Sequence, residues 1–284
     1  MFNFLLSIHW DIKPEIFHIG GFGLRYYTLC FMLAFFLSYV IMLSIFKKEG
    51  KTQELLDKLT IYVFIGTVLG ARLGHCLFYE FDYYRHHLLE MILPIRMVNG
   101  TISFTGYQGL ASHGGALGII IATLLFCKKT KTNFWWVIDR LAIVAALSGA
   151  FVRTGNFFNS EIIGKPSDLP WSVVFVQVDN VPRHPAQLYE AIGYVLIFLF
   201  LYYSYRKGKY VKPALLLGYF LILVFGLRFF VEFIKENQET FENSMTFNMG
   251  QLLSIPFVIV GFYLVFRKTS PTPPINVQKT TNHN

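Results

Sequence analysis

Long apolar runs separated by short polar connections fill most of the 284 residues. Seven runs are readable, at roughly 22–46, 59–79, 111–127, 134–152, 187–205, 213–234 and 249–266. Each is near the roughly 20 residues that a helix needs to cross a bilayer. A helix also satisfies its own backbone there, where no water can. The third run is the weakest, because Gly114 and Gly115 crowd its start. The pattern predicts an all-α, polytopic membrane protein with about seven transmembrane helices. It reads as a single multi-pass domain over 1–268. The tail 269–284, TSPTPPINVQKTTNHN, is polar and Pro-rich, and is expected to be disordered and cytoplasmic.

Charge in the connections sets an orientation. One side holds 14 Lys and Arg, grouped at 47–58, 128–131, 206–212 and 267–279, and the other holds 7. The positive-inside rule assigns the richer side to the cytoplasm, with the N-terminus outside and the C-terminus inside. This bias also accounts for the net charge of +8, so no nucleic-acid partner is expected. Composition agrees. The hydrophobic share is 54% and the charged share only 15%, against roughly 25% charged in ordinary soluble domains. Cys30, Cys76 and Cys127 all lie in apolar runs without a CxxC pair or Cys/His spacing, so they read as buried spectators rather than a disulfide or metal site. The start, MFNFLLSIHWDIKP, lacks the basic region of a cleavable signal peptide.

Four arginines lie inside or at the edges of spans: Arg25, Arg72, Arg140 and Arg228. A charge at the bilayer centre costs about 2.5–3.5 kcal/mol on insertion scales, which makes each a functional candidate. Depth sorts them. Arg228 lies 15 residues after Pro213, about 22 Å into its span at the rise of a helix. Glu232 follows one turn later. Arg72 sits in the outer half of the second span, and Arg153 ends the fourth. Tyr27, His113 and the His184–Gln187–Glu190 group begin spans on the same outer side. Arg153, Arg228 and Arg72 offer guanidinium forks suited to phosphate or carboxylate. Glu232 can balance Arg228, and Glu161 can balance Arg153. Asn156 and Asn159 add neutral donors and acceptors. His113 has an ordinary pKa suited to base chemistry near neutrality. The set fits an anionic lipid head group. Bland readings stand beside it: Arg228–Glu232 as a packing ion pair, His113 as a helix-start residue, Arg25 as a snorkelling side chain. Gly66, Gly70 and Gly74 read as a packing ridge. Asp139 and Arg140, near the opposite end, read as packing or interfacial.

The ordered blocks LRYYTL at 24–29, GARLGHCLFYE at 70–80, SHGGALG at 112–118, RTGNFFNSEIIG at 153–164, RHPAQLYE at 183–190, LRFFVEF at 227–233 and MGQLLSIP at 249–256 span nearly the whole chain. In them the sequence resembles the prolipoprotein diacylglyceryl transferase family of bacterial membranes. RTGNFFNSEIIG is the most specific block. The resemblance implies transfer of the diacylglyceryl group of phosphatidylglycerol to a cysteine thiol in the lipobox of a prolipoprotein signal peptide. A thioether forms and glycerol phosphate leaves. It implies a place in the bacterial cytoplasmic (inner) membrane among membrane lipids, an active site toward the outer face, and no metal or organic cofactor. The family's functional positions fall on Tyr27, His113, Arg153, Asn156, Glu161, Gly164, Arg228 and Glu232, with Arg72 as a further candidate. Arg153 and Arg228 would hold the phosphate, His113 is the candidate base, and Tyr27 and Asn156 would position the lipid. Thr28, Ala111 and Ala116 depart from the family's pattern. Two other readings are an anionic-solute transporter and a serine hydrolase on Ser148, although Ala146 breaks the usual GxSG context.

Overall fold

The structure is a computed structural model, and it describes residues 8–19, 22–93, 95–98, 101–104, 109–208, 212–237, 242 and 244–268. The tail from Thr269 lies outside the described residues. Three short strands come first, β1 (Ile8–Trp10), β2 (Glu15–Ile19) and β3 (Phe22–Arg25). Helices α1 (Tyr26–Lys48), α2 (Gln53–Phe78), α3 (Phe81–Tyr84) and α4 (Leu88–Ile92) follow. Next are strands β4 (Ile95–Val98) and β5 (Thr101–Phe104) and helices α5 (Ser112–Thr130) and α6 (Phe134–Phe158). Strands β6 (Val173–Phe175) and β7 (Pro182–Arg183) precede α7 (Ala186–Arg206) and α8 (Leu215–Val231). A 3-10 turn, Glu232–Ile234, closes α8, and α9 (Met249–Phe266) is last. Two compact units contain these elements: Met1–Ser44 with Ile138–Asn284, and Ile45–Val137.

Among the described residues, six helices are long and apolar enough to cross a membrane: α1, α2, α6, α7, α8 with its 3-10 turn, and α9. The protein is therefore an all-α, multi-pass membrane protein. The predicted third span forms as α5, 19 residues long, but it is not among those six. His113 and two glycines at one end and Lys128 and Lys129 at the other dilute its apolarity.

In the second unit α5 packs on α2 backbone to backbone. A Cβ on Gly70 would lie 2.5 Å from the Gly114 carbonyl oxygen and 2.8 Å from Gly118 Cα. Only glycine permits that approach, so the ridge read from sequence is a packing device. The Ala111 amide also donates to the Ala71 carbonyl at 2.9 Å, which seats the first turn of α5.

In the first unit, buried Asp139 reaches from α6 to the start of α8. Its carboxylate accepts from the Ala214 amide at 2.8 Å and the Leu217 amide at 2.9 Å. A helix start leaves amides without intrahelical partners, and a side chain from a different helix supplies them here. The packing role expected for Asp139 has this form. Ser148, on the same helix, shares a 3.0 Å hydrogen bond with Ser38 of α1.

The strands were not foreseen. They run from two to five residues, too short to show a period. β1 pairs in parallel with β6, β6 pairs antiparallel with β7, and β2–β3 and β4–β5 are separate hairpins. Phe157, Val173 and Phe175 form a buried cluster against Trp10, whose ring lies 4.4 Å from that of Phe157. That cluster fixes the last turn of α6.

Replacing Asp139 by Ala is expected to destabilise the fold by about 1–3 kcal/mol, as for leaving buried donors unsatisfied. Asn should recover part of this. The thermal midpoint of the detergent-solubilised protein checks both.

Candidate active site

The cluster begins where α6 ends. The sequence predicts a span ending near residue 152, but the helix continues to Phe158. Arg153 and Asn156 therefore lie one turn apart on a continuous helix, and Arg153 Nη1 donates to Asn156 Oδ1 at 3.2 Å. Phe157 and Phe158 supply the anchor for this extension: Phe158 stacks on Tyr26 at 4.5 Å, and Phe157 enters the buried cluster. The chain then turns sharply. Ser160 and Ile162 hold φ values of 54° and 56°. A β-branched residue rarely adopts that left-handed region, so the turn carries local strain of a kind that concentrates at functional sites.

Glu161 lies between those two residues. Its carboxylate accepts from Asn156 Nδ2 at 3.0 Å and Asn159 Nδ2 at 3.1 Å. Its carbonyl accepts from Gln187 Nε2 at 2.5 Å. Gly164 follows, and a Cβ there would collide with His184 and lie 3.0 Å from the Ile234 carbonyl oxygen. The Gly164 amide donates to His184 and the Lys165 amide to Ile234, at 3.1 and 2.8 Å. Three segments are thereby fastened together.

The charges converge behind this turn. Glu190 of α7, fully buried, places Oε2 2.9 Å from Arg153 Nε and 3.7 Å from Lys235 Nζ. Lys235 Nζ lies 2.7 Å from Glu232 Oε1, and Arg228 Nε lies 3.5 Å from the same oxygen. Asn248 Nδ2 donates to Glu232 Oε2 at 3.1 Å. Asn248 is itself fixed by a capping box with Gln251 at the start of α9. Gly250 must lack a Cβ, which would stand 2.5 Å from the Glu232 carboxylate. Tyr194 donates to Glu190 Oε1 at 3.3 Å. The ring of Tyr27 lies against Gly155, and both Glu161 and Arg153 act on it electrostatically.

Several buried polar atoms here lack a hydrogen bond within the described residues: Asn159 Oδ1, Ser160 Oγ, Gln187 Oε1, Glu190 Oε2 and Arg228 Nε. Glu190 Oε2 is close to Arg153 without the alignment of a hydrogen bond. Native structures satisfy nearly all buried polar groups, so such a concentration is unusual. A cavity of about 320 Å³ adjoins it, lined by Lys13, Pro14, Glu15, Arg25, Asn159 and Glu161.

Comparisons with known proteins give the family. The family model described as prolipoprotein diacylglyceryl transferase matches residues 14–267. A Bacteroides fragilis protein named phosphatidylglycerol–prolipoprotein diacylglyceryl transferase is 48% identical over 268 residues, covering 94% of this chain and 97% of its own length. A Tolumonas auensis protein of the same name is 43% identical, covering 91% and 96%. A third, from Chloroherpeton thalassium, is 43% identical over 92% and 94%.

The chain belongs to the prolipoprotein diacylglyceryl transferase family.

Seven of the nine candidate positions read from sequence lie together in the first unit of this transferase-family chain: Tyr27, Arg153, Asn156, Glu161, Gly164, Arg228 and Glu232. Arg72 and His113 belong to the second unit. Buried Arg72 donates to Tyr84 Oη at 3.0 Å and the Glu90 carbonyl at 2.7 Å, with its guanidinium 4.8 Å from the Tyr84 ring. These contacts hold α4 on α2. His113 is exposed in the first turn of α5.

One pairing differs from the expected one, and another is shared. Arg153 pairs directly with Glu190, and Glu161 reaches it through Asn156. Glu232 meets Arg228 but sits closer to Lys235. Sequence reasoning placed Glu190 in the outer polar set without a specific role and gave Lys235 none. Glu190 carried a signal as a carboxylate beginning an apolar span. Lys235 lies just past a span end, where a lysine is ordinary.

Gly164→Ala is expected to loosen the 159–165 turn, because its Cβ has no space. A glutamate-specific protease should cut after Glu161 in the variant under conditions that leave that bond whole in the native chain. Fragment mapping checks this.

Proposed function

We propose that this chain transfers the diacylglyceryl group of phosphatidylglycerol to the lipobox cysteine of a prolipoprotein signal peptide. The single observation that carries the reading is the Arg153–Glu190–Lys235–Glu232–Arg228 chain of charges. Arg228 meets only one carboxylate, at 3.5 Å, and its buried Nε makes no hydrogen bond among the described residues. A phosphate is the natural partner for forks so arranged.

The substrate sulfur attacks the glyceryl carbon that bears the phosphate. The carbon–oxygen bond to that phosphate breaks and a carbon–sulfur bond forms. The bonding pair leaves with the phosphate, which departs as glycerol phosphate. Negative charge grows on the phosphate during this step, so Arg153 and Arg228 stabilise the transition state more than the bound lipid. An ordinary thiol, with a pKa near about 8.5, needs a proton acceptor or a positive field to become thiolate. His113 is the proposed acceptor. Tyr27 and Asn156 orient the lipid, Glu161 orients Asn156, and Gly164 keeps the turn closed. Glu232 aims Arg228. Arg72 acts more remotely, by holding α4 on α2. The site faces outward in the cytoplasmic membrane, which also orients the N-terminus outward and the C-terminus inward.

The test is a reconstituted transfer assay with head-group-labelled phosphatidylglycerol and a lipobox peptide. Labelled glycerol phosphate and peptide thioether are expected in equal amounts. A Cys→Ser peptide should give neither. Arg228→Ala should lower kcat/KM on the order of 10²–10³-fold, as for lost transition-state donors. Absence of thioether with the intact pair would refute the reading. His113→Gln should lower kcat by about 10²-fold or more if it takes the proton. Undiminished kcat at neutral pH would remove that role.

Orientation has its own check. A reporter enzyme that works only outside the cytoplasm should be inactive when fused after Lys268 and active when inserted near Ser167. The reverse pattern would overturn the assigned topology.

A further inference from the structure

One side chain joins the two arginine–glutamate pairs, and the proposed chemistry does not use it. Lys235 follows the 3-10 turn and is 1% exposed. Its Nζ lies 2.7 Å from Glu232 Oε1 and 3.7 Å from Glu190 Oε2. Those are the same oxygens that face the arginines: Glu232 Oε1 lies 3.5 Å from Arg228 Nε, and Glu190 Oε2 lies 2.9 Å from Arg153 Nε. Each carboxylate oxygen is therefore shared between Lys235 and an arginine.

Charge counting gives the sharing a meaning. Two arginines and two glutamates alone would be neutral, with each guanidinium committed to its own carboxylate. Lys235 brings the five groups to a net charge of +1. Glu161 stands apart, exposed and held by Asn156 and Asn159. A buried surplus of one positive charge is costly when empty and is relieved by one anion. A phosphodiester carries a single negative charge.

The backbone shows that the placement of Lys235 is built. Lys235 pairs with Gly164 in an antiparallel bridge, flanked by Lys165 N–H to the Ile234 carbonyl at 2.8 Å and Glu236 N–H to the Ile163 carbonyl at 3.1 Å. The Glu161–Gly164 turn and the lysine are thus set by one another. Burial draws the Lys235 ammonium below the usual lysine range, and the two carboxylates oppose that shift.

We propose that Lys235 is a positioning residue of the head-group site. It neutralises Glu190 and Glu232 together, so that Arg153 and Arg228 keep N–H groups for the lipid phosphate. The inference rests on the transferase reading and adds to it the source of the site's positive surplus. Without the lysine, both carboxylates would draw the arginines back and compete with the lipid.

The experiment measures phosphatidylglycerol KM and kcat separately for native protein and three variants. Lys235→Met should raise KM by about 30-fold or more, the range seen when one partner of a buried charge pair is removed. Its kcat should change less than KM. Lys235→Arg keeps the charge and should restore KM to within about threefold of native. Lys235→Met with Glu190→Gln removes one charge of each sign and should recover part of the loss. Thermal stabilisation by added glycerol phosphate should follow the same order, and it reads binding without turnover. Native KM in Lys235→Met would overturn the inference, as would a Lys235→Arg variant no better than Lys235→Met. A purely structural lysine would lower the yield of folded, active protein and leave KM unchanged. Native protein that makes no thioether would instead fail the transferase reading itself.

Discussion

Three cations and two carboxylates held close together beneath a turn set the terms for the rest of this protein. A charge out of water is tolerated only when paired and hydrogen-bonded. Arg153, Glu190, Lys235, Glu232 and Arg228 form a continuous series of ion pairs, and Asn156 links it to Glu161. Much of the surrounding architecture keeps that series aligned. The two phenylalanines at 157 and 158 extend α6 so that Arg153 and Asn156 share a helix. The capping box at Asn248 presents its amide to Glu232. Gly164 and Gly250 leave space where any side chain would displace a strand bridge or a carboxylate.

Such a network leaves some of its bonding capacity unused. Glu232 Oε1 serves two cations, and Arg228 Nε has no hydrogen bond among the described residues. A structure selected only for stability would gain from replacing the series by apolar packing, since buried ion pairs are often neutral or unfavourable in net energy. Retaining charge here makes sense as preorganisation. Donors already aimed at a phosphate need no reorganisation as charge grows on it.

Much of this was legible in the sequence, for physical reasons that differ by element. The final run at 249–266 coincides with α9, because a lipid-spanning helix must be apolar along its whole length. The end of α6 was misplaced, because Arg153, Gly155 and Asn156 read as a helix stop, whereas packing of Phe157 and Phe158 overrides local propensity. The strands were invisible: β1 pairs with β6 across more than half the chain, and nothing local marks either. Arg228 and Glu232 announced themselves by sitting in an apolar span. Glu190 showed only as a carboxylate beginning a span and Lys235 not at all, because a charge at a span boundary has a bland explanation. Their roles become visible only through shared oxygen atoms, which are a property of three dimensions.

The central claim is that this charge series is a receptor for one anionic lipid head group. Native mass spectrometry of the detergent-purified protein tests it most directly, using equal loads of phosphatidylglycerol and a zwitterionic phospholipid with the same acyl chains. The account predicts one preferentially retained phosphatidylglycerol per chain, with the preference lost in Arg228→Gln. Equal retention of both lipids, or a preference untouched by that substitution, would contradict it and leave the buried ions with a packing role alone.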